Sequence, residues 1–252
     1  MNFVSTGQGP AVLLIHGLFG NLDNLKGLGQ VLENQYQVIR VDVPNHGLSE
    51  HWDQMNYPRL ATAMISLLDE LAIERAHIVG HSMGGKIAMA TALAFPERII
   101  SMVAADIAPV AYGHDQTRHI DAMRALDLTD LDSRAEADRR LAALVEDAGL
   151  RAFFLQSLDL KADGGPRWRL NLDVLQAEMP KIVGWPDPQG QFDGPVLFLA
   201  GAESTYIRPE YRTVIRPLFP HARFAKLPGA GHWLHADKPR EFEQTLRVFL
   251  DA

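Results

Sequence analysis

The stretch "HIVGHSMGGK", residues 77–86, decides how the chain is read. A short β-branched run ends at Gly80, and a helical pattern starts just beyond Ser82. Gly80-His81-Ser82-Met83-Gly84 thus fits G-x-S-x-G between a strand and a helix. A serine on so sharp a turn needs small residues two positions away on either side. It projects above the sheet, with the next amide, Met83 N–H, aimed at the same space. The helix N-terminus adds its dipole toward a developing oxyanion. Ser82 is then a candidate nucleophile. Two other readings of these residues stay open. One is a plain glycine-rich turn with an idle serine. The other is a phosphate-binding loop, because Gly80 to Lys86 also reads G-x-x-x-x-G-K and "SMVAAD" resembles a strand ending in a magnesium-holding aspartate. A phosphate loop needs Ser or Thr after the lysine, and Ile87 stands there.

Outward from this turn, "AVLLIHG", "YQVIRVDV", "IISMVAADIAP" and "VLFLAG" are further apolar runs ending in glycine or polar residues. Such runs predict strands covered on both faces, hence a mostly parallel sheet. Helical periods lie between them: 57–72 with Leu60, Met64, Leu67, Leu68 and Leu71 inward, 86–95 before Pro96, and 239–250 with Phe242, Leu246 and Phe249 on one face. Strand–helix alternation predicts an α/β fold with its site beyond the strand C-termini. Between residues 111 and 185 the alternation stops. Amphipathic segments such as "SRAEADRRLAALVEDAG", where Ser133 and Glu136 could form a capping box, predict a helical lid without strands. The expected organisation is a core of 1–110 and 186–252 with the lid at 111–185.

A serine hydroxyl needs a base. Of the ten histidines, His232 in "LPGAGHWLHADKP" follows an apparent strand, precedes the last helix and lies downstream of the serine, the chain order expected of such a site. His81 adjoins Ser82 but points elsewhere on a tight turn, and His235 is a candidate pocket residue. His77, His114, His119 and His221 read as surface or loop residues. The loop "HGLFGN" offers a second oxyanion donor, Leu18 N–H, beside Met83 N–H, with Gly17 and Gly20 admitting close approach. For the acid that orients the base, the loop after "VLFLAG" offers Glu203 and Ser204 but no aspartate. Asp42, in "VDVPNHGLS", reads as a fixer of the loop bearing His46 and Ser49, and Asp237 as serving the start of the last helix.

Together "HGLFGN", "VDVPNHGLS", "GHSMGGK", "DIAP" and "GAGHWLHADKP" resemble the α/β-hydrolase superfamily, in particular its small bacterial YbfF-like esterases and the related mitochondrial abhydrolase-domain proteins. The resemblance runs from about Val12 to the C-terminus. It implies that the acid is the aspartate of "DIAP", Asp106, and that Ser204 stands where most of the superfamily has aspartate, as a candidate fourth member of the site. Glu203 beside it departs from that pattern and keeps the usual position open as a rival acid. The residues add that Asp106 ends an apolar strand, where a charge needs a partner such as protonated His232; an aspartate there is also a common cap or turn former.

A serine rather than a carboxylate nucleophile disfavours epoxide hydrolysis and dehalogenation and favours acyl transfer to water. The expected substrates are short- to medium-chain acyl esters, with acyl thioesters as a further option. Phe19, His81, Phe153, Phe154, Trp185 and Trp233 are candidate pocket residues, with Leu155 and Met179 nearby; Lys86, Arg167 and Arg169 either meet an anionic group or lie in solvent. Two alternatives remain: a weakly turning-over, receptor-like binding protein, and C–C hydrolysis or perhydrolysis on the same machinery.

The bulk numbers fit. The 252 residues are 47% hydrophobic and 22% charged, with net charge −7, and offer nucleic acid no electrostatic footprint. There is no cysteine, which removes disulfides and thiol chemistry, and no HExxH or dinucleotide fingerprint. No cofactor or metal is expected. "MNFVSTGQGP" has no secretory pattern and no apolar run is long enough to span a bilayer, so a cytoplasmic protein without a membrane span is expected, as a monomer or small homo-oligomer.

Overall fold

The computed structural model describes residues 1–113, 116–186, 188 and 190–252. Continuous apolar runs become strands because each is covered on both faces. In chain order the first elements are β1 (Phe3–Thr6), β2 (Ala11–Ile15), α1 (Lys26–Leu32), β3 (Gln37–Val41), α2 (Tyr57–Glu70), β4 (Ala76–His81), α3 (Met83–Ala94) and β5 (Ile99–Ala105). The insertion follows: α4 (Thr117–Ala125), α5 (Arg134–Leu141), α6 (Ala148–Leu155), β6 (Leu158–Asp159), β7 (Arg167–Trp168), α7 (Leu172–Ala177) and α8 (Met179–Val183). The core resumes with β8 (Val196–Gly201), α9 (Arg212–Leu218), β9 (Ala222–Leu227), α10 (Leu234–Asp237) and α11 (Pro239–Leu250).

Among the described residues β1, β3, β2, β4, β5, β8 and β9 form one sheet in that order. Every neighbouring pair is parallel except β1 with β3. Alternate side chains feed two cores. Leu13, Ile15, Ile78, Met102 and Phe198 face α2, α3 and the insertion. Val12, Leu14, Val79, Val103 and Leu199 face α1 and α11, whose Phe242, Leu246 and Phe249 close that side. From β2 the chain passes to β3 on one side and then crosses over through α2 to β4 on the other, so the edge above β2 and β4 is the switch point where sites form.

The structure corrects the sequence expectations in four places. The edge strand β1 was not foreseen, because four half-exposed residues carry no continuous apolar signal. The insertion is not strand-free: β6 and β7 pair around "KADGGP", where Gly164 (φ 88°) and Gly165 (φ 108°) make the turn. The capping box of α5 is half formed. Ser133 accepts from Glu136 N (3.3 Å), but the Glu136 carboxylate holds Arg139 and Arg140 instead of the Ser133 amide. Helix α2 stops at Glu70, two residues short of expectation, because Ala72 turns left-handed (φ 54°). Among the described residues no helix is long and apolar enough to cross a membrane.

Candidate active site

β4 ends in register with β5, His81 opposite Ala105, and the next position on each strand carries Ser82 and Asp106. Both leave the extended region abruptly, with φ of 54° at Ser82 and 51° at Asp106. Non-glycine residues seldom adopt this conformation, and such strain gathers at functional sites. The ladder holds them there: Ser82 N donates to Ala105 O (3.0 Å) and Asp106 N to Leu199 O (2.8 Å). The glycines two positions from Ser82 are required by space. A Cβ on Gly80 would strike the Gly84 carbonyl, and one on Gly84 would strike the carbonyls of Ile15 and His16.

Opposite this turn, the β9–α10 loop presents His232. Ser82 Oγ–H donates to His232 Nε2 (3.1 Å), and His232 Nδ1–H donates to Asp106 Oδ2 (2.8 Å). Asp106 has no solvent exposure. Its charge is met by Gly201 N on Oδ1 (3.0 Å) and by the Ser204 hydroxyl on Oδ2. Ser204 in turn accepts from Tyr206 N (3.2 Å). Glu203, by contrast, is exposed, and its amide is spent on Ala230 O (3.0 Å). The structure therefore brings Ser82, His232, Asp106 and Ser204 into one hydrogen-bonded chain and leaves Glu203 outside it.

The β2 loop faces the same space. Its shape rests on two buried histidines. His16 Nε2 accepts from Val43 N (3.0 Å) and its Nδ1–H donates to Gly17 O (2.8 Å); His46 Nε2 accepts from Phe19 N (3.1 Å). Phe19 takes a left-handed φ of 65°. With the Phe19 amide occupied, Leu18 N–H and Met83 N–H are left without partners among the described residues, and both residues line the pocket over Ser82. Asp42 fixes this region as expected, accepting from Leu22 N (2.8 Å), Leu48 N (2.8 Å) and Asn2 Nδ2 (2.6 Å).

The pocket runs from Ser82 into an apolar space under the insertion. Phe19, His81, Phe153, Phe154 and Trp233 line it, as the sequence suggested. Trp185 does not; it packs on the Tyr57 ring (centroids 5.9 Å apart). Met179 is a buried core residue, and Leu155 lines a separate groove that also holds Asp42, Arg134 and Arg169. His235 misses the pocket too. It sits edge-on to His81 (4.8 Å) with no partner for Nδ1 among the described residues, and burial lowers its pKa to about 4. His81 is buried, and burial first, then His235 and His232, push its pKa well down. Its Nε2–H donates to the His232 carbonyl (2.7 Å).

Several polar residues were misread from sequence. His77 is buried against Ser101 Oγ (2.7 Å), and His119 is buried on α4 beside Phe154, lining the pocket. His221 is exposed as expected, and His114 lies outside the described residues. Asp237 does not cap the last helix; it accepts from Gly231 N (2.8 Å) and pins the His232 loop. Arg167 is exposed, and Arg169 pairs with Asp159 (2.8 Å), both away from the pocket. Lys86 is 1% exposed, its ammonium donating to backbone carbonyls, and Ile87 is fully buried. An enclosed lysine of this kind cannot sit on a bound nucleotide, which removes the phosphate-loop reading. Sequence reasoning missed Tyr206, stacked on His232 (4.1 Å, 20° between planes), and Tyr112, whose hydroxyl donates to Tyr206 O (2.7 Å). An aromatic two residues after Ser204 was the available signal for the first.

Residues 10–239 match the family described as alpha/beta hydrolase fold. The chain is 40% identical over 243 residues to esterase YbfF of Escherichia coli (strain K12), covering 95% of this chain and 92% of that protein. It is 38% identical over 249 residues to the sn-1-specific diacylglycerol lipase ABHD11 of Mus musculus, covering 96% and 81%. A solved marine microorganism esterase superposes with a TM-score of 0.94 at 33% identity, over 98% of both chains.

Proposed function

The chain belongs to the α/β-hydrolase family and is an esterase/lipase-type hydrolase, and on that premise we propose that it cleaves short- to medium-chain acyl esters through an acyl-enzyme on Ser82. The observation that carries this reading is the continuous relay from Ser82 Oγ through His232 to Asp106 at the mouth of an apolar pocket.

In the proposed reaction, Ser82 Oγ attacks the ester carbonyl carbon while His232 Nε2 takes its proton. Charge moves to the carbonyl oxygen, and the Leu18 and Met83 amides receive it. Asp106 keeps His232 in the Nδ1–H tautomer and stabilises the imidazolium that forms. Collapse breaks the bond to the leaving oxygen, which departs as alcohol with the proton from Nε2. Water, deprotonated by His232, then attacks the acyl carbon and frees Ser82 and the carboxylic acid. Helices α4–α8 act as a lid, and the acyl chain lies among Phe19, Phe153, Phe154 and Trp233. The apolar lining supports an alkyl acyl group and does not discriminate ester from thioester. The names of the two relatives, an esterase and a diacylglycerol lipase, support an ester.

The test is steady-state hydrolysis of a chromogenic butyrate ester by wild type, Asp106→Asn and Glu203→Gln, with Ser82→Ala as blank. Asp106→Asn is expected to lose about 10³–10⁴-fold in kcat, since it stabilises the wrong tautomer. Glu203→Gln is expected to stay near wild type. Collapse of Glu203→Gln instead moves the acid to the later loop. A wild type no faster than the blank removes the esterase reading and puts the binding-protein alternative first.

A further inference from the structure

The lysine of "GHSMGGK" has no part in the relay, yet it is buried at the pocket. Lys86 lies one helical turn after Ser82 on α3 and is 1% exposed. Among the described residues no carboxylate pairs with it. Its Nζ donates to Val183 O (2.8 Å) and Gly184 O (2.5 Å) and lies over the Tyr112 ring, 4.8 Å from the centroid. These carbonyls end α8, where the chain returns from the insertion to the core. The carbonyl just before them, Ile182 O, accepts from the Tyr57 hydroxyl of α2. Val183 O also accepts from Tyr112 N (3.0 Å), on the entry side of the insertion. Three successive carbonyls are thus held by α2, α3 and the entry segment. The side chains of Ile182 and Val183 form part of the pocket wall.

Burying an ammonium without a carboxylate is costly, and the cost appears here as a lysine pKa lowered by desolvation. A methionine would fill much the same volume without that cost. What the lysine adds is a pair of donors for the half-buried carbonyls that a helix leaves unpaired at its C-terminal end.

We propose that Lys86 and Tyr57 are positioning residues: a clasp that fixes the Ile182–Val183 wall at a set distance from Ser82 and so limits the length of acyl chain admitted. The proposal rests on the reading of Ser82 as nucleophile and of the pocket as acyl site. With the clasp open, the wall moves outward and longer chains gain access. Because the clasp acts through Ile182 and Val183, its loss falls unequally on esters of different length. General damage to the fold would depress all of them alike.

The experiment compares Lys86→Met and Tyr57→Phe with wild type on 4-nitrophenyl esters from acetate to decanoate, recording kcat and KM for each. Wild type and Ser82→Ala are also treated with a fluorophosphonate to test the nucleophile separately. The expected result is a rise of about 10-fold in the octanoate-to-acetate ratio of kcat/KM in Lys86→Met, a size typical of one methylene fitted or refused by an apolar pocket. That change should sit mainly in KM, and Tyr57→Phe should shift the ratio in the same direction by less. A ratio within twofold of wild type in Tyr57→Phe and in folded Lys86→Met overturns the clasp while leaving the esterase reading in place. If Lys86→Met does not fold, Tyr57→Phe alone decides. Absence of Ser82-dependent labelling in the wild type overturns the nucleophile reading, and the clasp with it.

Discussion

Replacing His46 by glutamine should make the protein less sensitive to acid. His16 and His46 are 1% and 0% exposed, with ring centroids 5.2 Å apart. Each presents an unprotonated Nε2 to a backbone N–H, His16 to Val43 and His46 to Phe19. Adding a proton at Nε2 destroys that acceptor and places a charge in the interior. Burial accordingly lowers the pKa of His16 from 6.5 to about 4; burial, and then the neighbouring His16, lower that of His46 from 6.5 to about 3. The unfolded chain takes up these protons near 6.5 and the folded chain only near the lowered values. Below about pH 6.5 the unfolded state therefore binds more protons, and stability falls as pH falls toward those values. Each histidine costs about 2 kcal/mol at pH 5, from about 1.5 pH units at 1.36 kcal/mol each, or about 4 kcal/mol for both. That is a large share of the usual 5–15 kcal/mol. His235 and His81, also with lowered pKa values, act in the same direction, so the difference between two proteins is the diagnostic quantity. Glutamine can still accept from Phe19 N–H and does not titrate. Urea unfolding followed by tryptophan fluorescence at pH 7 and pH 5 should show His46→Gln losing about 2 kcal/mol less than wild type over that interval. Equal losses in the two proteins would refute this account of the pair.

Gly84→Ala puts a methyl group into the carbonyls of Ile15, the last residue of β2, and His16. In an unobstructed helix the change would stabilise by about 1 kcal/mol; here overpacking reverses the sign, and the melting temperature should drop by at least about 5 °C. A melting temperature at or above that of wild type counts against the steric reading of the turn. Ser204→Ala removes one donor from Asp106 Oδ2 and leaves His232 Nδ1–H and Gly201 N in place. The expected effect on butyrate hydrolysis is a fall of about 10-fold in kcat, from one charge-assisted hydrogen bond, with KM little changed. An unaltered kcat would reduce Ser204 to a loop-forming residue.

Parts of the molecule were legible in sequence because their signals are local. β2, β4, β5 and β8 read as continuous apolar runs since layers cover both their faces. The turn at Ser82 read correctly because Gly80 and Gly84 are demanded by backbone contacts a few residues away or on the adjacent strand. α11 appeared at its full extent, since Phe242, Leu246 and Phe249 keep a helical period. Residues whose setting depends on distant partners were not legible. Lys86 looked like a solvent lysine because the carbonyls it serves lie 97 and 98 positions later. His119 looked exposed because the rings that cover it, Phe19 and Phe154, come from the β2 loop and α6. Choosing between Asp106 and Glu203 needed the family resemblance. Both sit at the ends of neighbouring strands, and only the path of the β8 loop, which aims Ser204 inward and Glu203 outward, separates them in space.

Ser82 and Asp106 occupy matching positions just beyond the ends of adjacent strands, each tied by its own amide to the strand alongside. Their separation is thereby metered by the roughly 4.8 Å between hydrogen-bonded strands. A site measured out by the sheet has no soft mode of its own. It is not free to drift apart while the rest of the molecule stays intact, as a site carried wholly on loops can. Loss of activity on heating should then follow the cooperative melting of the sheet and not run ahead of it. The looser partner is His232, on the loop after β9, and any early failure would start there.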